Sequence, residues 1–368
     1  MKTRLYSLAS PILVLSVLLV SVTCLKAQVA KPKECISVGD YKGAVNERIH
    51  AAIKAAMATD HKTVFFPNGT YALRSPLALA QAHETRNRLS AAFDIAEHAL
   101  EIVVIKTTGD KVQDRPLGEI GGKGLFTKEI EDAMLAGEID IAVHSMKDMP
   151  VTQPDGLTLD CYLPREDVRD AFVSLHHAGI GALPEGAVVG TSSLRRRAQL
   201  KHRRPDLKVV EFRGNVQTRL RKLNEGVAGA TFLAMAGLNR LGMRDVPKAP
   251  ISVDDMLPAV AQGAIGIERR AGDERAATLL AALHDQDTGH RLAAERAFLA
   301  ALDGSCQTPI GGLAVLEGGT VRLRGEILKI DGSQCFAGSE KGSIPDGPEI
   351  GRELALRLLA KAGRNFFH

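Results

Sequence analysis

An α/β fold with mostly parallel sheets is predicted for most of this 368-residue chain, and three observations point to it. From about Arg74 onward, short β-rich runs alternate with helical patterns, the arrangement that builds a parallel sheet with crossover helices. Polar and basic residues gather where strand-like runs pass into helices, the edge of an open α/β sheet at which ligands bind. The length exceeds a single core and suggests two or three domains of roughly 100–200 residues each.

The first residues stand apart. Lys2 and Arg4 precede an apolar run from Pro11 to Val22 and then Cys24-Leu-Lys-Ala27. That is the pattern of a secretory signal peptide with cleavage after Ala27, and it is too short to favour a membrane span. Residues 36–73 read as strand, helix, strand. They comprise Ile36-Ser-Val-Gly-Asp-Tyr41, the small-residue stretch around Ala51, Ala52, Ile53, Ala55 and Ala56, and Thr63-Val-Phe-Phe66 before a turn at Pro67-Asn-Gly-Thr70. This stretch resembles the opening of secreted parallel β-helix proteins of the pectin-lyase type, but no coil repeats follow it.

Composition changes at Arg74-Ser-Pro-Leu-Ala-Leu-Ala-Gln81. A helix is expected to about His98, then a strand over 101–106, a helix over 127–135 and a strand over 139–144. A strand over 187–191 leads into a basic helix from Ser193. A strand over 209–212 precedes a helix beginning near Val216, and Ala230–Ala234 is a further buried strand. Residues 256–268 read as a return strand. A helix over 291–301, a strand over 321–330 and an amphipathic helix over 349–362 complete the reading.

The strand over 139–144 alternates Ile139, Ile141 and Val143 with Asp140, Ala142 and His144, and runs into Ser145, Met146, Lys147 and Asp148 before Pro150 stops it. Adjacent Lys and Asp at a strand's carboxyl end form either a surface salt bridge or a ligand site. Between Arg195 and Lys222 there are eleven Lys/Arg and two acids. A solvated helix face would account for such a run. However, these cations sit at two junctions, Thr191-Ser-Ser-Leu-Arg-Arg196 and Arg213-Gly-Asn-Val-Gln-Thr-Arg219. Helix-start N–H groups and guanidinium forks both select carboxylate or phosphate, so the pair facing Lys147 would form a cleft for a polyanion.

Other features narrow the class. The net charge of +4 excludes a polyelectrolyte binder, and no Trp with four Tyr argues against a base-stacking surface. Five cysteines at 24, 35, 161, 306 and 335 make no CxxC pair, so a zinc site or disulfide framework is not expected. Gly121-Gly-Lys-Gly-Leu-Phe126 lacks phosphate-loop spacing and reads as a hinge or lid. Cys306 lies in the Gly-bounded turn Asp303-Gly-Ser-Cys-Gln-Thr-Pro-Ile-Gly-Gly312, where a lone cysteine is either a small core residue or a working thiol.

Taken together, Ile141-Ala-Val-His-Ser-Met-Lys-Asp148, Gly190-Thr-Ser-Ser-Leu-Arg-Arg196, Arg213-Gly-Asn215, Pro258 to Glu268, Ala294-Glu-Arg-Ala297 and Gly304-Ser-Cys306 resemble the hydroxymethylbilane synthase (porphobilinogen deaminase) family over roughly residues 74–368. The resemblance implies a transferase that joins four porphobilinogen molecules head to tail with release of ammonia, making the linear tetrapyrrole of haem and chlorophyll biosynthesis. It implies three domains: two lobes like those of periplasmic binding proteins, with mostly parallel sheets, and a small α+β C-terminal domain. The corresponding boundaries are 74–163 with 258–281, 164–257, and 284–368, after a signal-like 1–27 and a foreign 28–73.

Residue by residue, the resemblance makes Cys306 the thioether anchor of a dipyrromethane cofactor and Asp148 the catalytic carboxylate. Lys147, Ser192, Ser193, Arg195, Arg196 and Arg219 would hold the cofactor's acetate and propionate groups. Arg213, Arg219 and Arg240, with Ser75 and Gln81, would serve the substrate and growing chain, and Lys123 and Phe126 the lid. No metal or nucleotide is required, and no nucleic-acid or membrane partner; the protein is expected to be a monomer. One departure stands out: Leu73 occupies the place of a substrate-binding Arg, and Arg74 is one residue off, which in extended chain turns it to the opposite face. A secreted two-lobe anion-binding protein and an inactive chimera are the competing readings. The first has no use for the Cys306 turn or for Asp148 beside Lys147. A free thiol suits a reducing compartment, so cytoplasmic function is expected despite the signal-like start.

Overall fold

The computed structural model describes residues 35–37, 63–65, 76–96, 99–105, 127–305, 308–363 and 366–367. The chain divides into two compact units, residues 1–73 with 86–104, and residues 74–85 with 105–368. The signal-like residues 1–27 and the helix expected near Ala51 lie outside the described residues. In the first unit β1 (Cys35–Ser37) and β2 (Thr63–Phe65) pair in parallel, with Cys35 opposite Thr63. Residues 101–105, expected as strand, belong to no strand, and Val103 and Val104 are exposed. A β-rich run becomes a strand only where a neighbouring edge takes up its backbone groups, and this run has no ladder partner among the described residues.

Among the described residues the second unit holds three sheets. Helix α1 (Pro76–Phe93), whose residues to Thr85 belong to this unit, opens with proline, where the missing N–H costs nothing. Its early residue Gln81 is buried and exchanges hydrogen bonds with Ser145. After α2 (Lys128–Leu135), β3 (Ile141–Ser145) and β4 (Leu157–Tyr162) flank β10 (Ile265–Arg270), which is antiparallel to both. The chain reaches β10 by returning from the next sheet, with no crossover helix to turn it round. This lobe is therefore antiparallel among its described strands, where the alternation had suggested parallel pairing.

The second sheet is ordered β7–β6–β8–β5–β9, from β5 (Asp170–Val173), β6 (Val188–Gly190), β7 (Lys208–Val210), β8 (Ala230–Ala234) and β9 (Lys248–Pro250). Here α3 (Leu194–Arg203) and α4 (Val216–Asn224) act as crossovers, and β6 is parallel to both β7 and β8. Helix α5 (Met235–Arg240) follows β8. Strand β5 runs antiparallel to β8 and β9, so this sheet is mixed. Phe172, Val189, Leu200 and Phe232 form one side of its core.

Of the return strand expected over 256–268, only the end becomes β10. Residues 256–264 are buried but irregular, with Ala261 at φ +60° and Gly263 at φ +89°. A Cβ on Gly263 would lie 2.5 Å from the Glu166 carbonyl oxygen. Burial there is supported by a side chain in place of a ladder: the Ala261 N–H donates to Glu295 at 2.6 Å. Glu295 also takes a bidentate pair from Arg165, at 2.7 and 3.0 Å, and the Ala314 N–H at 2.8 Å.

Beyond α6 (Glu274–Ala281), helix α7 (Gln286–Ala301) and the antiparallel meander β11 (Ile310–Glu317), β12 (Thr320–Leu328) and β13 (Cys335–Ser343) form the third sheet layer with α8 (Gly347–Ala362). Leu292, Phe298, Leu323, Ile327, Leu354 and Leu358 are its core, and Met146 and Met149 from the turn after β3 belong to the same cluster. Among the described residues no helix is long and apolar enough to cross a membrane.

Candidate active site

At the carboxyl end of β3 the chain makes a single 3₁₀ turn, Met146–Asp148. Met146 and Met149 are 1% and 5% exposed and pin this turn from both sides, while Asp148 between them is exposed. Lys147 is half-buried. Burial lowers its pKa, Asp148 opposes that, and the charges of Arg196, Asp170 and Arg195 also reach it.

The two basic junctions lie at the ends of adjacent parallel strands, which places the two helix starts side by side. After β6, the Ser193 hydroxyl caps α3 by accepting from the Arg196 N–H at 3.4 Å, and the Ser193 N–H donates to Thr191 Oγ1 at 3.2 Å. After β7, Asn215 caps α4, accepting from the Thr218 N–H at 2.9 Å. Ser192 joins the two junctions, its hydroxyl accepting from the Phe212 N–H at 3.0 Å. Gly190 is required at this close approach, since a Cβ there would lie 2.4 Å from the Phe212 ring. Arg219 folds back from α4 to donate to the Gly214 carbonyl at 2.9 Å, and burial followed by the Arg196 charge lowers its pKa to about 10. Lys222 donates to the Arg213 carbonyl at 3.0 Å.

Arg195 and Arg196, expected to hold ligand carboxylates, are anchored from within the protein. Both are buried, and both are bound to Asp170 at the start of β5 at 2.7 Å. Arg195 also donates to Gln199 and the Leu257 carbonyl, and Arg196 to the Phe232 carbonyl. Gln262 completes the cage around Asp170 at 3.0 Å. No counter-charge stands near these two cations in the sequence, and Asp170, opening an otherwise apolar strand, is the signal for their partner. One carboxylate against two guanidiniums leaves a net positive charge, to which Lys147 and Arg219 add.

Arg240 is also paired internally, 3.2 Å from Glu84 of α1, and donates to the Gly263 carbonyl at 3.1 Å. Ser75, Lys123, Phe126 and Cys306 lie outside the described residues. The stem of the Cys306 turn is described. Gly304 N–H donates to Leu299 at 2.9 Å, ending α7, and Ser305 and Thr308 bond each other across the turn. The thiols of Cys161 and Cys335 are poor nucleophiles. Cys161 is buried against the Leu280 carbonyl, and burial pushes its pKa up to about 12. Burial and then Glu326 push Cys335 up to about 12 as well. A thiolate is the reactive form, so neither suits covalent attachment.

The model of the porphobilinogen deaminase dipyromethane cofactor binding domain matches residues 71–278, and that of the porphobilinogen deaminase C-terminal domain matches residues 290–360. The chain belongs to the porphobilinogen deaminase family. A porphobilinogen deaminase of Paracoccus denitrificans is 68% identical over 293 residues, covering 80% of this chain and 94% of that protein. A chloroplastic porphobilinogen deaminase of Pisum sativum is 52% identical over 328 residues, covering 87% of this chain and 88% of that protein. Among solved structures, an arginine-specific periplasmic binding protein of Salmonella typhimurium gives a TM-score of 0.33 at 14% identity, over 55% of this chain and 80% of that one. The family's group, dipyrromethane, carries several carboxylates. The donor set around Lys147, Arg219 and the two helix starts fits it, being cationic with Asp170 as the internal counter-charge.

Proposed function

We propose that this chain is a working hydroxymethylbilane synthase of the porphobilinogen deaminase family, joining four porphobilinogen molecules head to tail with loss of ammonia. The observation that carries this reading is the net positive cluster of Lys147, Arg195, Arg196 and Arg219 beside the exposed Asp148. When bound through Cys306, dipyrromethane supplies the terminal pyrrole carbon at which each new unit is joined. Ser192, Ser193, Lys147 and Arg219 hold carboxylates at the two helix starts. Arg195 and Arg196 add their charge there, each ion-paired to Asp170. Asp148 passes a proton to the departing amine, which leaves as ammonia, and the Asp148 carboxylate then faces the positive charge left on the pyrrole.

Arg213 and Arg240 serve the lengthening chain, and a substrate carboxylate at Arg240 competes with Glu84. Gln81 steadies the end of β3 through Ser145, while Ser75 lies on the substrate side and Lys123 and Phe126 belong to the lid. The three domains follow the boundaries given above. The protein acts as a monomer, without nucleic acid or membrane, in a reducing cytoplasm that keeps the Cys306 thiol free. Asp148→Asn tests the reading: it keeps shape but removes the titratable proton. Turnover is expected to fall by about 10²–10⁴ with the fold intact, and near-normal turnover would refute the role of Asp148.

A further inference from the structure

The turn that presents Asp148 is held by a residue that belongs to a different sheet layer and touches neither Asp148 nor the proposed anion cradle. Arg296 lies on α7, two turns before the stem of the Cys306 loop. Its Nη2 donates to the Pro150 carbonyl at 2.8 Å and to the Val151 carbonyl at 3.1 Å, and reaches Gln153 Oε1 at 3.5 Å. Gln153 Nε2 donates to the same Pro150 carbonyl at 3.0 Å, so guanidinium and amide grip one point of the backbone. That point is two residues beyond Asp148. On the other side of the turn, the Met146 N–H donates to the Ala264 carbonyl at 3.1 Å, and Met146 and Met149 are buried in the cluster that contains Phe298 and Ala294 of α7.

Helix α7 therefore carries the clamp on the Asp148 turn in its middle, and the described chain continues from its end through the Gly304 N–H bond to the Leu299 carbonyl. An ångström of misplacement costs about 10²-fold in rate. Truncating the clamp leaves α7's apolar face and the two methionines in place, so the fold survives while the turn loses its register.

We propose that Arg296 is a positioning residue for the reaction, fixing the turn that presents Asp148 through the Pro150 and Val151 carbonyls. The proposal rests on the reading of Asp148 as the catalytic carboxylate, and a double-mutant cycle separates the two. Arg296→Gln is expected to load its dipyrromethane normally by intact mass and to keep KM for porphobilinogen within about twofold, while kcat falls about 10- to 100-fold. Arg296→Lys, which still offers one cationic donor to the Pro150 carbonyl, should recover most of that loss. In an Asp148→Asn background, Arg296→Gln should lower turnover by less than about twofold, because a clamp acting only through Asp148 has nothing left to position. A second full 10- to 100-fold loss in that background overturns the proposal and leaves the role of Asp148 standing. Wild-type turnover in Asp148→Asn alone overturns both.

Discussion

Replacing Asp170 by Asn probes the charge balance on which the anion cradle rests. Asp170 is fully buried, receives Arg195 and Arg196 at 2.7 Å each, and is braced by Gln262 at 3.0 Å. Asparagine keeps the volume but leaves two buried guanidiniums side by side without a counter-charge. Breaking a buried pair in this way costs about 3–5 kcal/mol. At about 2–4 °C per kcal/mol for a cooperative unit as large as the second compact unit, Tm should fall by roughly 6–20 °C. Burial alone would raise the Asp170 pKa, but the two arginines hold it well below the usual carboxylate range. A depressed carboxyl contributes stability that is present above its unfolded value of about 4 and is lost as pH falls toward the folded value. Thermal and urea unfolding of wild type and Asp170→Asn should therefore differ by a constant amount above about pH 4 and converge below it. A difference under about 1 kcal/mol, or one that widens on acidification, would refute the argument.

Two further outcomes follow from packing and from the first residues of the chain. A Cβ on Gly351 of α8 would lie 2.3 Å from the Ala294 carbonyl oxygen of α7, so Gly351→Ala should destabilise the C-terminal domain by about 1–3 kcal/mol by urea unfolding; an unchanged midpoint would contradict that close approach. Exchanging residues 1–73 for a strand ending Thr-Arg-Gly restores a guanidinium at the place of Leu73, a contact worth about 1.5–3 kcal/mol. The exchange should raise kcat/KM about 10- to 100-fold, whereas an unchanged value would mean that Arg74 or another cation already fills the role.

Legibility in the sequence followed the range of the forces involved. The helices expected from Ser193 and near Val216, the strand Ala230–Ala234 and the turn at Lys147-Asp148 are set by neighbours a few residues away, and all stand where local pattern puts them. The direction of β10 and the irregular course of residues 256–264 depend on Glu295 and on the return from another sheet, which no local period encodes. Strands β4, β5, β9, β11 and β13 and the short helices α5 and α6 carry no clear period of their own. The same limit governed the site. The cations at 195 and 196 were visible, but Asp170 lies 25 residues before Arg195 and is brought to them only by the packing of α3 on its sheet. Arg296 offered less still: inside a helical pattern it reads as a surface cation, and its partners are main-chain carbonyls about 146 positions away.

The central claim is that Cys306, and no other thiol, carries a covalent dipyrromethane on which the chain is built. Intact mass spectrometry of the purified protein and of Cys306→Ser, with Cys161→Ser and Cys335→Ser alongside, addresses it directly. The account predicts a dipyrromethane adduct on the wild type and on both other serine variants, and none on folded, inactive Cys306→Ser. An adduct that survives Cys306→Ser, or a wild type that is active with no adduct at all, would contradict it.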